Sequence, residues 1–371
     1  MASVERRRLR LLRGVAALSG LALALAASEI ALRMFLPQPL GLSYRAPSGI
    51  TLHIPGASVR YTRTEFDHRV EINSLGLRDR EISREKPRGV FRILVLGDSF
   101  AEGKQVRLDE TFPKRLERAL AERFPSQRWE VINGGVSGYG TADEIKFFEI
   151  LGRALDPDLV ILAFCVGNDV QDNAASPYFR WRGSRLEELP VEPLSLPDMW
   201  LARFEEFGAS HFHLYQFLRD RYHRTASPAP EPLEELPSIV PVQVLRPARE
   251  DDWRLTEALL DRMLELVAEA HAGFLLAAIP QRLQVFDDEW VASTGRESSD
   301  PTRVEPQMRL NAYARQRLLP FVDLLTALHD ASFPDRAYFR IDGHWNPRGH
   351  RVAADDILKS LVNFHLLGKS A

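Results

Sequence analysis

The chain has 371 residues, of which 45% are hydrophobic and 27% charged, so it can bury one or two cores. Global disorder, a collagen and a coiled coil are excluded by this composition. The 48 Lys and Arg residues nearly balance the 51 Asp and Glu residues, which argues against nucleic acid as a partner. The single cysteine, Cys165, excludes an internal disulfide and a multi-cysteine zinc site.

The N-terminal segment has the pattern of a membrane-targeting sequence. Arginines among the first thirteen residues precede an uncharged apolar run from Gly14 to Ser28, and apolar residues continue to Leu36. We favour a retained anchor helix, with residues 1–36 as a separate segment and Arg33 at the far interface. The alternatives are a cleaved signal peptide, with Ala24-Leu25-Ala26 as the cleavage site, and a buried soluble helix.

The charge distribution around this segment also predicts a location. Because the arginines stay on the cytoplasmic side, either export route places the bulk of the chain outside the cytoplasm. We expect a protein anchored in the inner membrane with its main domain in the periplasm or at the cell exterior, or one secreted after signal cleavage.

The next residues, 40–90, are predicted to form an N-terminal arm or subdomain with small strands near 58–62 and 69–72. From Phe91 apolar runs alternate with amphipathic segments, which is the pattern of a parallel sheet between helices in an α/β fold. The predicted strands are Phe91 to Leu96, Trp129 to Ile132, Leu159 to Val166, Gly273 to Ile279 and Phe321 to Asp323. The predicted helices are Phe112 to Arg123, Ala142 to Leu151, Leu255 to Ala270 and Met308 to Leu318.

The last predicted helix has the clearest start signal. Asn346 is its expected N-cap and Pro347 its first residue, so the residues before it are predicted to form a loop. Earlier in the chain, residues 175–250 interrupt the rhythm with prolines and aromatic residues, including a proline-studded stretch from Pro228 to Pro247. An insertion of this size is typical of a lid or a substrate wall. The main domain is therefore predicted over residues 91–371, with this insertion inside it.

Ligands of open parallel sheets bind beyond the carboxyl ends of the strands, so the residues there are the candidate site. Four blocks lie at such positions or before the last helix: Gly97-Asp98-Ser99, the glycine block ending at Gly138, Gly167-Asn168-Asp169, and Asp342-Gly343-His344-Trp345. Ser99, His344 and Asp342 supply a nucleophile, a base and a carboxylate that orients the base. The Ser99 N–H, the Gly138 N–H and the Asn168 side-chain amide are candidate donors for an oxyanion.

With these four blocks in this order, the chain resembles the SGNH (GDSL) hydrolase family over about residues 91 to 365. The resemblance implies a flavodoxin-like three-layer α/β/α domain, a Ser-His-Asp mechanism and an oxyanion hole from the Ser, Gly and Asn blocks. The commonest family pattern is Asp-x-x-His, whereas this chain has Asp342-x-His344-Trp345. That variant is similar to the branch of alginate and other bacterial envelope O-acetylation proteins.

These implications lead to one preferred function and two alternatives. We expect a serine esterase that hydrolyses an O-acyl ester of a carbohydrate or lipid outside the cytoplasm, through an acyl-Ser99 intermediate. An O-acyltransferase acting on an envelope or exported polysaccharide is the first alternative, and a catalytically inactive envelope binding protein is the second. No cofactor and no metal are expected, and the partners are the ester substrate and the membrane.

Several neighbouring residues have simpler interpretations. Asp98 is expected to be structural, and His350 to serve packing or capping in the last helix. Cys165 is expected in the core. The glycines near Gly138 lack the register of a dinucleotide-binding turn, and the His211 and His213 pair is expected at a polar surface because no third metal ligand accompanies it.

Overall fold

The computed structural model describes residues 2–36, 38, 40–46, 48–190, 195–226, 248–333 and 335–368. The chain divides into two compact units. The smaller contains residues 1–44 and 195–235, and the larger contains residues 45–194 and 236–371. The stretch from Pro228 to Pro247, predicted as part of the insertion, lies outside the described residues.

Apart from short 3-10 and π-helical turns, the regular structure of the described residues consists of β-strands and α-helices. The strands, in chain order, are β1 (Ser43–Arg45), β2 (Thr51–His53), β3 (Ser58–Thr62), β4 (Asp67–Glu71), β5 (Val90–Gly97), β6 (Arg128–Asn133), β7 (Leu159–Cys165), β8 (Phe179–Arg182), β9 (Arg185–Glu188), β10 (Gly273–Ile279) and β11 (Phe321–Asp323). The helices are α1 (Ala2–Phe35), α2 (Ser99–Glu102), α3 (Phe112–Arg123), α4 (Thr141–Phe147), α5 (Asp169–Ala175), α6 (Leu196–His211), α7 (His213–Ala226), α8 (Glu250–Glu269), α9 (Arg282–Val285), α10 (Asp287–Thr294), α11 (Glu305–Gln316), α12 (Leu325–Ala331) and α13 (Pro347–Asn363).

The larger unit is built on a five-stranded parallel sheet in the order β11-β10-β7-β5-β6. Every residue of β7 is buried, as are the last six of β5, because helices cover both faces of the sheet. On one face, α3 and α13 pack together over a core that includes Ile93, Val95 and Ile161. On the other face α4, α5 and α8 pack together. The predicted three-layer α/β fold is therefore confirmed.

The predicted elements of this unit agree with the structure except in their ends and in the shortest helices. All five predicted sheet strands are present, and α13 begins at Pro347 with Asn346 as its N-cap. The helix predicted to end at Leu151 instead ends at Phe147 and continues as a π-helical turn, Phe148–Gly152. The short helices α2, α5 and α12 were not predicted, because four to seven residues are too few to show a helical period.

Within the arm predicted at residues 40–90, β3 and β4 form a two-stranded sheet. The antiparallel strands β3 and β4 make a hairpin whose register pairs Val59 with Val70. Both of these valines are buried, and the hairpin belongs to the larger unit.

The smaller unit contains one helix that is long and apolar enough to cross a membrane among the residues described. Leu12–Phe35 has 24 residues and a mean hydropathy of 1.9, and none of the apolar window is buried. The alternative of a buried soluble helix is therefore wrong, whereas an anchor and a signal sequence both fit. Toward its end, Glu29 pairs with Arg33 at 2.6 Å and accepts hydrogen bonds from the backbone N–H groups of His213 and Leu214.

Candidate active site

The candidate nucleophile lies where the interior strand β5 turns into α2. The Asp98 carboxylate caps this short helix by accepting the Phe100 N–H at 2.8 Å, and Ser99 is the first helical residue. Asp98 is buried, in agreement with the structural role expected for it, and burial raises its pKa to about 6 although the Phe100 N–H and nearby His344 lower it. The turn thus fixes the Ser99 hydroxyl at the carboxyl edge of the sheet.

The structure brings the three predicted triad residues into one hydrogen-bonded chain. Ser99 Oγ lies 2.8 Å from His344 Nε2, and His344 Nδ1 lies 2.6 Å from Asp342 Oδ1. Both contacts are within the range of strong hydrogen bonds. A neutral imidazole can accept the Ser99 proton at Nε2 only if its proton is on Nδ1, and the Asp342 carboxylate favours that tautomer.

The loop that carries Asp342 and His344 is held by side chains rather than by the sheet. Its ends are joined by an isolated antiparallel bridge between Tyr338 and Trp345. Trp345 is completely buried and packs edge-on against Phe100, with ring centroids 5.0 Å apart. The tryptophan of the Asp-x-His-Trp block therefore belongs to the core and ties the His344 loop to α2.

Further side chains hold the two ends of this loop. The Asn346 amide group donates to the carbonyl oxygens of Arg336 and Tyr338, while its oxygen caps α13. The Arg282 guanidinium donates to the carbonyl oxygens of Phe339 and Arg340. The loop is consequently anchored on both sides of Asp342.

The candidate oxyanion donor Gly138 lies in a turn that only glycine adopts readily. Its φ is +82°, in the region that side chains disfavour. The preceding Ser137 donates its backbone N–H to Glu102 Oε2 at 2.7 Å, and Glu102 Oε1 lies 3.0 Å from His53 Nε2. Burial would raise the pKa of Glu102, but His53, Lys104 and Ser137 together hold it well below its usual range. This buried carboxylate therefore positions the Gly138 turn.

A second glycine allows that turn to lie directly on α2. A Cβ atom at Gly135 would lie 2.3 Å from the Glu102 backbone nitrogen, so a side chain at this position would push the turn away from Ser99. The glycine block predicted as functional thus allows the backbone of the Gly138 turn to lie against the backbone of α2.

The third oxyanion candidate, Asn168, is the N-cap residue of α5. Its side-chain amide donates to Asp172 Oδ2 at 2.7 Å and lies 3.4 Å from Asp98 Oδ2. The short bond to Asp172 fixes which way the amide points, and the amide hydrogen in the long bond to Asp98 is the one that an oxyanion would have to take over.

A pocket of about 430 Å³ joins these groups. All five predicted site residues line it, together with eight others: Asp98, Phe100, Cys165, Asp172, Gln281, Arg282, Ile341 and Gly343. Gln281 and Arg282 were not predicted as site residues, although only Pro280 separates them from the predicted strand ending at Ile279. Their position at a strand end was the signal that could have found them.

Behind the site lies a group of buried carboxyls. Glu144 and Asp169 are buried, and burial raises the pKa of each well above its usual range. The Glu144 charge raises the pKa of Asp169 further. Neither oxygen of the Glu144 carboxyl has a hydrogen-bond partner among the described residues, so no hydrogen bond there offsets the burial that disfavours its charged form.

The remaining predictions concern residues away from the triad. His350 is buried in α13 and accepts the Phe112 N–H at Nδ1, and burial lowers its pKa well below the usual range. Cys165 is buried, as predicted. In the smaller unit, His213 Nδ1 accepts the Gln38 N–H, whereas His211 is exposed. Within the described ranges, no group of three or more His, Cys, Asp or Glu residues is arranged to hold a metal ion.

Comparison with known proteins gives similarity at the level of family and fold. In a search of solved structures, the acetylxylan esterase Axe2 from Geobacillus stearothermophilus is 16% identical, with 73% of this chain and 94% of that chain covered and a TM-score of 0.42. A protein of the G-D-S-L lipolytic family from Desulfitobacterium hafniense is 14% identical, with 73% and 99% covered and a TM-score of 0.39. An α/β hydrolase from the metagenome of Lake Arreo, Spain, is 15% identical, with 73% and 94% covered and a TM-score of 0.41.

Among curated proteins, no match to the chain is found. The sequence profile of the GDSL-like lipase/acylhydrolase family matches residues 95–352, which include all four motif blocks. The chain therefore belongs to the GDSL-like lipase/acylhydrolase family of ester hydrolases.

Proposed function

We propose that this protein is a serine esterase that hydrolyses an O-acyl ester of a carbohydrate or lipid outside the cytoplasm. The observation that carries the proposal is the continuous hydrogen-bonded chain from Ser99 Oγ through His344 to Asp342, at the wall of a pocket that Gly138 and Asn168 also line. This arrangement supports nucleophilic catalysis by Ser99 because a base already contacts the hydroxyl and a carboxylate already orients that base.

In the first half of the reaction, Ser99 Oγ attacks the ester carbonyl while His344 Nε2 takes the hydroxyl proton. The carbonyl oxygen becomes an oxyanion, which accepts hydrogen bonds from the Ser99 N–H, the Gly138 N–H and the Asn168 amide. Collapse of the tetrahedral intermediate breaks the bond to the alcohol oxygen, and His344 returns the proton to that oxygen. The products of this half are a free alcohol and acyl-Ser99.

In the second half, water replaces the alcohol. His344 takes a proton from the water as its oxygen attacks the acyl carbonyl, and the same three donors hold the second oxyanion. The bond to Ser99 Oγ then breaks and the serine recovers its proton from His344. The carboxylic acid leaves and the triad returns to its starting state.

The pocket supports a short acyl group. Its volume of about 430 Å³ must hold both sides of the ester, and it is lined by apolar Phe100 and Ile341 as well as by polar groups. We expect activity on p-nitrophenyl esters to be highest with acetyl or butyryl groups and to decline with longer chains. Equal activity on dodecanoyl esters would contradict a short acyl pocket.

The proposed location rests on α1. The apolar stretch Leu12–Phe35 would anchor the protein in the inner membrane, with the catalytic unit in the periplasm or at the cell exterior. The N-terminal sequence of the protein isolated from membranes tests this directly. A mature chain that begins after Ala26 would show a cleaved signal peptide instead of an anchor.

The mechanism is tested with the full-length protein in detergent. The wild type is expected to hydrolyse p-nitrophenyl acetate and to react with a fluorophosphonate probe, and Ser99→Ala is expected to lose both activities. Retention of either one at the wild-type level would refute the mechanism. Mass spectrometry with oligosaccharide acceptors completes the test, since an acylated acceptor in place of free acid would make the protein an acyltransferase.

A further inference from the structure

We infer that Glu65, which lies outside the family match, is a positioning residue for the catalytic loop. This role rests on the proposed function of Asp342 and His344. Glu65 lies in the connection between β3 and β4 of the N-terminal arm. The profile of the family begins only at residue 95.

The Glu65 carboxylate binds three consecutive backbone N–H groups of the catalytic loop. Oε1 accepts from Arg340 at 2.7 Å, and Oε2 accepts from Ile341 and Asp342 at 2.9 Å each. Successive N–H groups that point to one centre form a concave anion site, and hydrogen bonds to a carboxylate are about twice as strong as neutral ones. Glu65 therefore fixes the backbone of the residue whose side chain orients His344.

The hairpin that carries Glu65 is itself packed against the same loop. Phe66 is buried next to Glu65, and its ring lies 5.3 Å from the Phe339 ring and 5.4 Å from the Tyr61 ring. This contact places the carboxylate beside residues 340–342 without relying on a long flexible side chain. The packing of Phe66 and the three backbone hydrogen bonds thus together fix the position of Glu65.

Loss of the Glu65 carboxylate should lower turnover rather than weaken substrate binding. Glu65 is absent from the lining of the pocket, so it has no direct contact with substrate to lose. If the Asp342 backbone shifts, however, the Asp342 carboxylate no longer holds the His344 imidazole at the angle needed to take the Ser99 proton. A misplacement of about 1 Å in catalytic groups costs roughly 100-fold in rate.

The experiment compares Glu65→Ala and Glu65→Gln with a matched control in the same hairpin. Asp67→Ala removes a carboxylate whose hydrogen bonds go to Arg60 and Thr62 within the hairpin. For the full-length protein in detergent, we expect Glu65→Ala to lower kcat for p-nitrophenyl acetate about 10- to 100-fold, with KM and the thermal midpoint nearly unchanged. The rate of fluorophosphonate labelling should fall with kcat.

The kcat of Glu65→Gln should lie between those of Glu65→Ala and the wild type. Its amide oxygen can still accept a backbone hydrogen bond, whereas its NH₂ group cannot accept one. Asp67→Ala should keep kcat within about twofold of the wild type, because a surface carboxylate of this kind contributes little. If Glu65→Ala does not fold, the Gln variant carries the test. A wild-type kcat in either folded Glu65 variant, or an equal loss in Asp67→Ala, overturns the inference.

Ser99→Ala in the same assay separates the two possible failures. If Ser99→Ala is inactive while Glu65→Ala retains full kcat, only the role of Glu65 is wrong. If Ser99→Ala retains activity, the proposed function itself is wrong.

Discussion

The two sides of the pocket are held by different kinds of interaction. On the strand-end side, which carries Ser99, Gly138 and Asn168, each residue follows a buried strand of the parallel sheet. On the loop side, residues 339–346 carry Asp342 and His344, and they contribute a single isolated bridge to β-structure. The nucleophile is therefore positioned by backbone hydrogen bonds of the sheet, and the base by the side chains of Glu65, Arg282 and Asn346.

This difference indicates what substitutions should do on each side. Supports on the strand-end side are buried within the core, so their loss should mainly lower stability. Supports on the loop side lie nearer to solvent, so their loss should mainly lower turnover. In free-energy terms, we expect the largest effect at the triad, where the two sides meet, and the smallest at the buried carboxyl group behind the site.

The first prediction tests whether the two sides act as one catalytic unit. His344→Ala is expected to lower kcat about 10⁶-fold, since Ser99 then has no base. The double variant Ser99→Ala/His344→Ala should lose no more activity than Ser99→Ala alone, as measured with p-nitrophenyl acetate. His365→Ala, at an exposed position in the C-terminal turn, is the control and should be fully active. Additive losses in the double variant would show that the two residues act independently.

The second prediction concerns the buried support of the Gly138 turn. Glu102→Ala leaves His53, Lys104 and the Ser137 N–H without their shared carboxylate. Breaking a buried pair in this way costs about 3–5 kcal/mol of stability, which a denaturant titration followed by tryptophan fluorescence would measure. Glu122→Ala, at an exposed position of α3, should change stability by no more than about 0.5 kcal/mol. A loss of activity without loss of stability would place Glu102 among the groups that act on turnover.

The third prediction isolates an oxyanion donor on the strand-end side. Asn168→Ala should lower kcat about 100-fold and leave KM nearly unchanged, because the amide is needed only when charge develops on the substrate oxygen. Asn168→Asp should lose at least as much, since it places an acceptor where a donor is required. A rise in KM with kcat preserved would make Asn168 a substrate-binding residue instead.

The fourth prediction uses the buried carboxyl of Glu144, which lies behind the strand-end side. Its pKa is raised in the folded state, so between the ordinary value near 4.5 and the folded value the native protein binds more protons than the unfolded chain. This contribution to stability is complete below pH 4.5 and is lost as the pH rises. Glu144→Gln cannot ionise and so escapes this loss, and the variant should therefore be more stable than the wild type at pH 8.

The measurement for Glu144→Gln is the thermal midpoint at a series of pH values. Its advantage over the wild type should shrink between about pH 8 and pH 5, while Glu122→Gln should follow the wild-type curve throughout. A variant that is less stable at high pH would show that the Glu144 carboxylate has a stabilising partner in the folded protein.

The sequence predicted the sheet and the strand-end residues for a physical reason. Buried parallel strands such as β7 are continuous apolar runs, and the residue after each run lies at the ligand-binding edge. The start of α13 was predicted because Asn346 and Pro347 act locally. Local rules were thus enough for the strands that lead to the site and for the end of the loop that carries His344, but not for the short helix α2 that begins at Ser99.

The supports of the loop side could not be predicted in the same way. Glu65 lies 275 residues before Arg340 in the sequence, and nothing within the hairpin distinguishes it from other surface glutamates. His53 and Glu102 are likewise joined only by folding of the chain.

Helices α6 and α7 were not predicted because the prolines of the insertion suggested irregular structure.

The hairpin β3–β4 limits where the chain can be truncated for expression. A fragment cut to the family match would begin at residue 95 and would leave behind His53, Glu65 and Phe66. It would retain all three triad residues and yet lack the carboxylate that holds the Asp342 backbone. Truncation for expression should therefore begin no later than Arg45, where the larger unit starts.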